Sequence, residues 1–251
     1  MPVVNVEGVD IAYDVEGEGS PMILLHGFAA TAADNFGRTG WVQALARTGR
    51  RIVTIDLRGH GKSGHPHDEA AYAGGQLVDD VIAVMDELGI AKADLMGFSM
   101  GAGLAMRLAS QYGDRFDKVV LAGVGGGMLT PRGDGWSDKV VEALTTEDPE
   151  SIADPTAKGF RLYAEHLGQD RLALAACMKA PGSGRDVDFS AIGGEVLVIA
   201  GARDDMAGDP DALAAVIPGA KAETVPGADH MYLLANPMCK GMVIDFLTGW
   251  A

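Results

Sequence analysis

Residues 93–106, Ala-Asp-Leu-Met-Gly-Phe-Ser-Met-Gly-Ala-Gly-Leu-Ala-Met, constrain the fold more than any other stretch. The run 93–96 is short and apolar, as a buried strand is, and from Gly101 onward small residues compatible with a helix follow. Between them, Gly97-Phe98-Ser99-Met100-Gly101 has the spacing G-x-S-x-G. A strand that enters a helix through one tight turn strains the residue at the apex. Its neighbours must lack a Cβ, because two stretches of backbone meet there. The apex side chain then stands at a helix N-terminus, where unpaired N–H groups and the helix dipole favour negative charge. A serine so placed is a candidate nucleophile. Glycine makes up 35 of the 251 residues, so this spacing arises easily by chance and needs partners elsewhere in the chain.

The length suits one α/β domain with a modest insertion, and 47% hydrophobic residues supply an ample core. Twenty basic against 35 acidic residues leave a net charge of −15, which points away from nucleic acid and anionic membranes as partners. The acidic residues are scattered, as on a solvated surface. Residues 1–7 form neither a basic nor an apolar leader, and no run approaches the ~20 apolar residues of a membrane span. The expectation is a cytoplasmic protein, monomeric or homodimeric, acting on a small molecule. Cys177 and Cys239 lie in apolar, helical-looking segments and are expected to be buried free thiols. Neither a metal nor an organic cofactor is expected.

In chain order, residues 3–25 carry three strand signals, the last being the apolar run 22–25, which delivers His26-Gly27-Phe28 at its C-terminal end. A short helix is expected over 41–47 and a buried strand over 52–55. The Gly-rich loop 56–63 follows. Its Gly61-Lys62-Ser63 is not a phosphate loop, since the first glycine of that motif would fall on Asp56. Residues 76–88 form the clearest amphipathic helix, with Leu77, Val81, Val84 and Leu88 inward, Asp79, Asp80, Asp86 and Glu87 outward, and Gly89 ending it. Another strand is expected over 118–124. From 128 to 192 the strand pattern stops, and helices are expected around 137–145, 155–166 and 170–178. Strands resume at 195–200 and 221–225, with a helix over 210–216 between them. Asn236-Pro237 open a last helix whose apolar face is Met238, Met242, Val243, Phe246 and Trp250. Strands that are continuous apolar runs and alternate with helices predict a mostly parallel sheet covered on both faces.

A nucleophilic serine needs a base, and the base an orienting acid. Of six histidines, His60, His65 and His67 sit in or just after a loop, and His166 lies among the helices of 128–192. His230 directly follows the last strand, at the sheet edge that carries Ser99. Asp204, with Asp205 beside it, follows the strand ending at Ala200 and reaches the same edge. The chain order Ser99, Asp204, His230 is that of one known serine-hydrolase arrangement.

With these residues together, the sequence resembles an α/β-hydrolase-fold serine hydrolase over nearly its whole length except the insertion. His26-Gly27-Phe28 is similar to the family's His-Gly-X segment, and 56–63 to its D-x-R-G-x-G-x-S loop. Gly201-Ala202-Arg203-Asp204 is similar to the acid loop, and Gly227-Ala228-Asp229-His230 to the histidine segment. The spacing from Asp204 to Pro210 departs from the usual one, so Asp205 stands as the alternative acid. The resemblance implies a core of 1–127 and 193–251 with a helical cap, 128–192, inserted after the sixth strand. It also implies Ser99 as nucleophile, His230 as base, Asp204 as acid and an oxyanion hole from the Phe28 and Met100 N–H groups, with His26, Gly27, Gly97 and Gly101 shaping the site. The implied activity is hydrolysis of carboxylic esters or lactones. A carbon–carbon bond hydrolase, a cofactor-free perhydrolase and a ligand receptor without turnover are the alternatives. Met128, Leu129, Trp136, Phe160, Leu162, Tyr163, Leu167 and Met178 are expected to divide between the cap's core and the cleft. The run 123–127 is expected to be a flexible entrance to the lid, and Arg132, Lys158, Arg161 and Lys179 are the basic residues to watch.

Overall fold

The computed structural model describes residues 1–130, 135–180 and 187–249. Trp250 and Arg132 lie outside them. Among the described residues, eight strands form one sheet: β1 (Val3–Val6), β2 (Val9–Glu16), β3 (Ser20–Leu25), β4 (Arg50–Ile55), β5 (Ala93–Phe98), β6 (Phe116–Ala122), β7 (Glu195–Gly201) and β8 (Lys221–Val225). Their order is β1-β2-β4-β3-β5-β6-β7-β8. The β1–β2 and β2–β4 pairs are antiparallel, and every pair from β4 through β3 to β8 is parallel. Helices α1 (Trp41–Ala46), α2 (Gln76–Glu87), α3 (Met100–Gln111), α7 (Pro210–Ala214) and α8 (Pro237–Thr248) cover the sheet. Helices α4 (Trp136–Thr145), α5 (Pro155–His166) and α6 (Arg171–Lys179) lie between β6 and β7.

The apolar runs are explained by the pleat. Successive side chains of a strand leave on opposite faces, so a strand covered on both sides is apolar at most of its positions. Ile23, Leu25, Leu95, Val119, Leu121, Val196 and Val198 pack on one face with α2, α3 and α7. Met22, Leu24, Met96, Val120, Leu197 and Ile199 pack on the other with Trp41, Leu45, Val243 and Phe246 of α1 and α8. Helix α8 starts where Asn236 caps it, its Oδ1 accepting from Met238 N at 2.8 Å with Pro237 at the first position.

Helix α2 corrects the sequence reading at one residue. Asp80 does not face solvent: its side chain is 1% exposed and accepts a bidentate pair from the equally buried Arg58, at 3.0 Å from Nε and 2.6 Å from the second terminal nitrogen. Arg58 also donates to Ala71 O at 2.8 Å. A carboxylate one position off the apolar stripe is drawn inward because the guanidinium brings a matching fork of donors. Burial pushes the Asp80 carboxyl above its ordinary range, and the Arg58 hydrogen bonds oppose that shift. Removing one partner leaves the other as an uncompensated buried charge. Asp80→Ala should therefore cost about 3–5 kcal/mol in urea unfolding. An unchanged midpoint would show that the pair does not anchor the 56–63 loop to α2.

Candidate active site

The turn between β5 and α3 behaves as its sequence demands. Ser99 has φ 53° and ψ −112°, where a residue with a Cβ is strained. The conformation is held on both sides: Ser99 N donates to Ala122 O at 2.8 Å, and Ser99 O accepts from Ala102 N and Gly103 N. A Cβ on Gly97 would strike the carbonyl of Gly101, and one on Gly101 would strike the Leu25 carbonyl and come within 2.6 Å of His26 O. Glycine is required at both places because β3, β5 and α3 meet backbone to backbone.

Three side chains from separate strand ends converge. Ser99 Oγ lies 2.9 Å from His230 Nε2, and His230 Nδ1 lies 2.8 Å from Asp204 Oδ2. With Nδ1–H donating to the carboxylate, Nε2 is left to accept from the serine hydroxyl. The Asp204 side chain is fully buried while that of His230 is 12% exposed, so the carboxylate is shielded from solvent and the imidazole is partly open to it. Asp204 Oδ1 is also occupied, accepting from Ala207 N at 2.9 Å and Met206 N at 3.2 Å. Asp205 is exposed. The Phe98 ring lies 5.0 Å from the imidazole of His230 at a tilt of 32°.

The loop after β3 is fixed from several directions. His26 Nδ1–H donates to Gly27 O at 2.8 Å, and its Nε2 accepts from Leu57 N at 2.9 Å. Gly27 N donates to Asn35 Oδ1 at 2.8 Å, and Ala32 N to Asp56 Oδ1 at 2.9 Å. Among the described residues the backbone N–H groups of Phe28 and Met100 have no protein acceptor. No three His, Cys, Asp or Glu side chains group as a metal site among those residues either. Cys177 and Cys239 are buried and unpaired, with thiols that burial pushes up to about 12.

The run 123–127 is not a flexible entrance. Gly126 N donates to Asp209 O at 2.8 Å and Gly127 N to Ala207 O at 3.0 Å. A Cβ on Gly125 would sit 2.7 Å from the carbonyl oxygens of both Gly208 and Asp209. These glycines let the segment after β6 dock on the loop that carries Asp204. Asn35 and Phe98 are further site residues that the sequence reading missed. No local pattern marks either: Asn35 acts through a tertiary hydrogen bond, and Phe98 reads as an ordinary strand residue.

A model of the α/β-hydrolase fold family matches residues 20–146, half of the chain. The chain belongs to the α/β-hydrolase fold family. Among curated relatives, a 2-hydroxymuconate semialdehyde hydrolase of Pseudomonas putida is 36% identical over 108 residues, 43% of this chain and 37% of that protein. A putative non-heme chloroperoxidase of Synechocystis is 35% identical over 127 residues, 48% of this chain and 44% of that protein. The chain thus spans less than half the length of these relatives. The enol-lactonase structure from Burkholderia xenovorans LB400 matches with a TM-score of 0.80 at 25% identity, covering 98% of this chain and 100% of that one.

Beneath the site lie two neutral imidazoles. Burial lowers His26 to about 4 and His60 to about 3, and their rings are 5.1 Å apart. Both values are below the unfolded ~6.5. The stability these groups contribute is therefore fully present above about pH 6.5 and is lost as pH falls toward about 4 and then about 3. Each should add up to about 1.4 kcal/mol per pH unit to that slope. His60→Phe should flatten the unfolding free energy measured between about pH 6.5 and 5. A slope identical to the parent's would contradict burial of a neutral His60.

Proposed function

We propose that this chain is a serine hydrolase that cleaves carboxylic esters or lactones of small, largely apolar substrates. The observation that carries the reading is the chain Ser99–His230–Asp204 beside two unpaired backbone N–H groups. In the proposed reaction the Ser99 hydroxyl oxygen attacks the substrate carbonyl while its proton passes to His230 Nε2. Asp204 stabilises the imidazolium and fixes the tautomer. The negative oxygen that forms is held by Phe28 N–H and Met100 N–H, aided by the N-terminus of α3. His230 then gives its proton to the departing alkoxide, and water attacks the acyl-enzyme by the same route.

Helices α4–α6 are proposed as the cap over this cleft. Trp136, Phe160, Tyr163 and Met178 pack in one cluster with Phe28, Ala29 and Met100 of the core. Phe160 meets Phe28 edge-on at 5.7 Å, and Trp136 meets Phe160 at 6.0 Å. Leu129 and Leu162 instead face solvent, 39% and 48% exposed. The described basic candidates are engaged elsewhere. Arg161 is 2% exposed and holds Glu165 at 2.7 Å and the carbonyls of Ala143 and Thr146. Lys158 pairs with Glu150 at 2.9 Å, and Lys179 with Glu69 at 3.5 Å. Such surroundings favour neutral acyl groups.

The likeness to a 2-hydroxymuconate semialdehyde hydrolase supports carbon–carbon bond cleavage as the second reading. Both readings use Ser99, and substrate charge separates them. Ser99→Ala should abolish turnover of short p-nitrophenyl esters. Asp204→Asn should lower kcat by about 10³–10⁴-fold, as loss of the productive tautomer does elsewhere, with Asp205→Asn far milder. Of a matched ester pair, the neutral one should be preferred to one with a carboxylate beside the scissile bond. If the anionic ester wins, the carbon–carbon reading takes first place, and residual activity in Ser99→Ala would overturn both.

A further inference from the structure

The two sides of the serine are built differently. On the side of Phe28 the cleft is roofed: Phe28 is 9% exposed beneath Phe160, which Trp136 backs in turn. On the side of His230, large apolar side chains stand in solvent instead. Met231 is 64% exposed, Tyr232 50%, Met206 41% and Leu129 39%. All four lie on segments that leave the carboxyl ends of β6, β7 and β8.

The backbone gathers these segments around the base. Met231 directly follows His230, and Tyr232 N donates to Asp229 Oδ1 at 2.8 Å, which folds 229–232 into a turn. Met206 N donates to the carboxylate of Asp204, the residue that holds His230. The segment leading to Leu129 is pinned to the same loop by Gly127 N on Ala207 O at 3.0 Å. Exposed thioethers and a phenol on segments held around one residue cost hydration without contributing to the core, as apolar contact surfaces do. Among the described residues, the exposed charged side chains of these segments are Arg203, Asp205, Asp209 and Asp229, net acidic, with Asp204 buried against His230.

We propose that Leu129, Met206, Met231 and Tyr232 form the subsite for the leaving group, and that the preferred substrates are esters of neutral, medium-chain apolar alcohols. This rests on the reading of Ser99 and His230 as an acyl-transfer pair. The direction follows from the chemistry. His230 protonates the departing oxygen, so the alcohol portion lies on its side of the scissile bond, while the carbonyl oxygen points to the Phe28 and Met100 N–H groups. Flexible methionines accommodate chains of varied shape, which fits an alkyl group better than a rigid polar one. The surplus of carboxylates around the rim repels an alcohol or thiol that carries a carboxylate or phosphate.

The test compares leaving groups of equal reactivity. Ethyl and octyl acetate release alkoxides of similar basicity, so their kcat/KM ratio reports binding of the chain. For the parent protein, octyl acetate should exceed ethyl acetate by at least about tenfold, as a few methylenes in an apolar subsite do. The acetate of 8-hydroxyoctanoic acid, equally long but anionic, should fall well below octyl acetate at low salt. Met206→Ser/Met231→Ser, at two exposed positions, should bring the octyl-to-ethyl ratio toward one. The ratio of ethyl octanoate to ethyl acetate, which reads the acyl side, should not move in that variant. A parent ratio near one, or a ratio the double substitution leaves intact, overturns the rim as a subsite while leaving the hydrolase reading in place. A change in sedimentation of the variant with an unmoved ratio makes the rim a contact between copies of the chain and also overturns the proposal. Absence of turnover for every ester, in protein whose circular dichroism is native, removes the acyl-transfer reading and the rim with it.

Discussion

Everything at the site depends on how closely three pieces of backbone approach one another at Gly97, Gly101 and the end of β3. Only without Cβ atoms can α3 start directly over the sheet, with Gly101 against the carbonyls of Leu25 and His26. That contact leaves Ser99 at φ 53°, a conformation that would relax if either glycine gained a side chain. The hydrogen bond from Ser99 N to Ala122 O ties the strained residue to β6, and the covered sheet supplies the rigidity that maintains the strain. The hydroxyl consequently faces His230, and among the described residues the first N–H of α3 has no protein acceptor.

Two further devices carry that geometry outward. Parallel strands ending on one edge place Asp204 and His230 on loops after β7 and β8, but such loops are not stiff by themselves. Here the Asp204 loop is stiffened by its own carboxylate, which accepts from Ala207 N, and by the glycines after β6 that dock on it. The loop after β3 is held by Asn35 and Asp56, and the 56–63 loop by the buried Arg58–Asp80 pair. Buried polar contacts thus hold the loops on both sides of residues 26–28.

The parts legible in the sequence are those that a period or a backbone requirement dictates. Continuous apolar runs gave a sheet covered on both faces, and the α2 and α8 boundaries followed from Gly89 and from Asn236-Pro237. The close approach at Ser99 was visible because only glycine permits it. What escaped was tertiary. Asp80 reads as a surface carboxylate until Arg58 folds over it, and Asn35 reads as a loop residue until Gly27 N donates to it. The glycines of 123–127 read as freedom, whereas the structure uses them for contact, because the absence of a Cβ serves both ends equally. Within 128–192, helix positions were legible, but which apolar side chains turn inward was not: Leu162 and Phe160 are two residues apart on α5 and face solvent and core respectively.

The central claim is that this backbone geometry makes one hydroxyl in the chain reactive. It is tested most directly by treating the native protein with a serine-directed alkyl phosphonate and locating the adduct by intact-mass and peptide mass spectrometry. The account predicts one adduct per chain, on Ser99, none in Ser99→Ala, and sharply slowed labelling in Gly97→Ala protein that remains folded by circular dichroism. Labelling at another residue, or undiminished labelling when Gly97 carries a side chain, would contradict it.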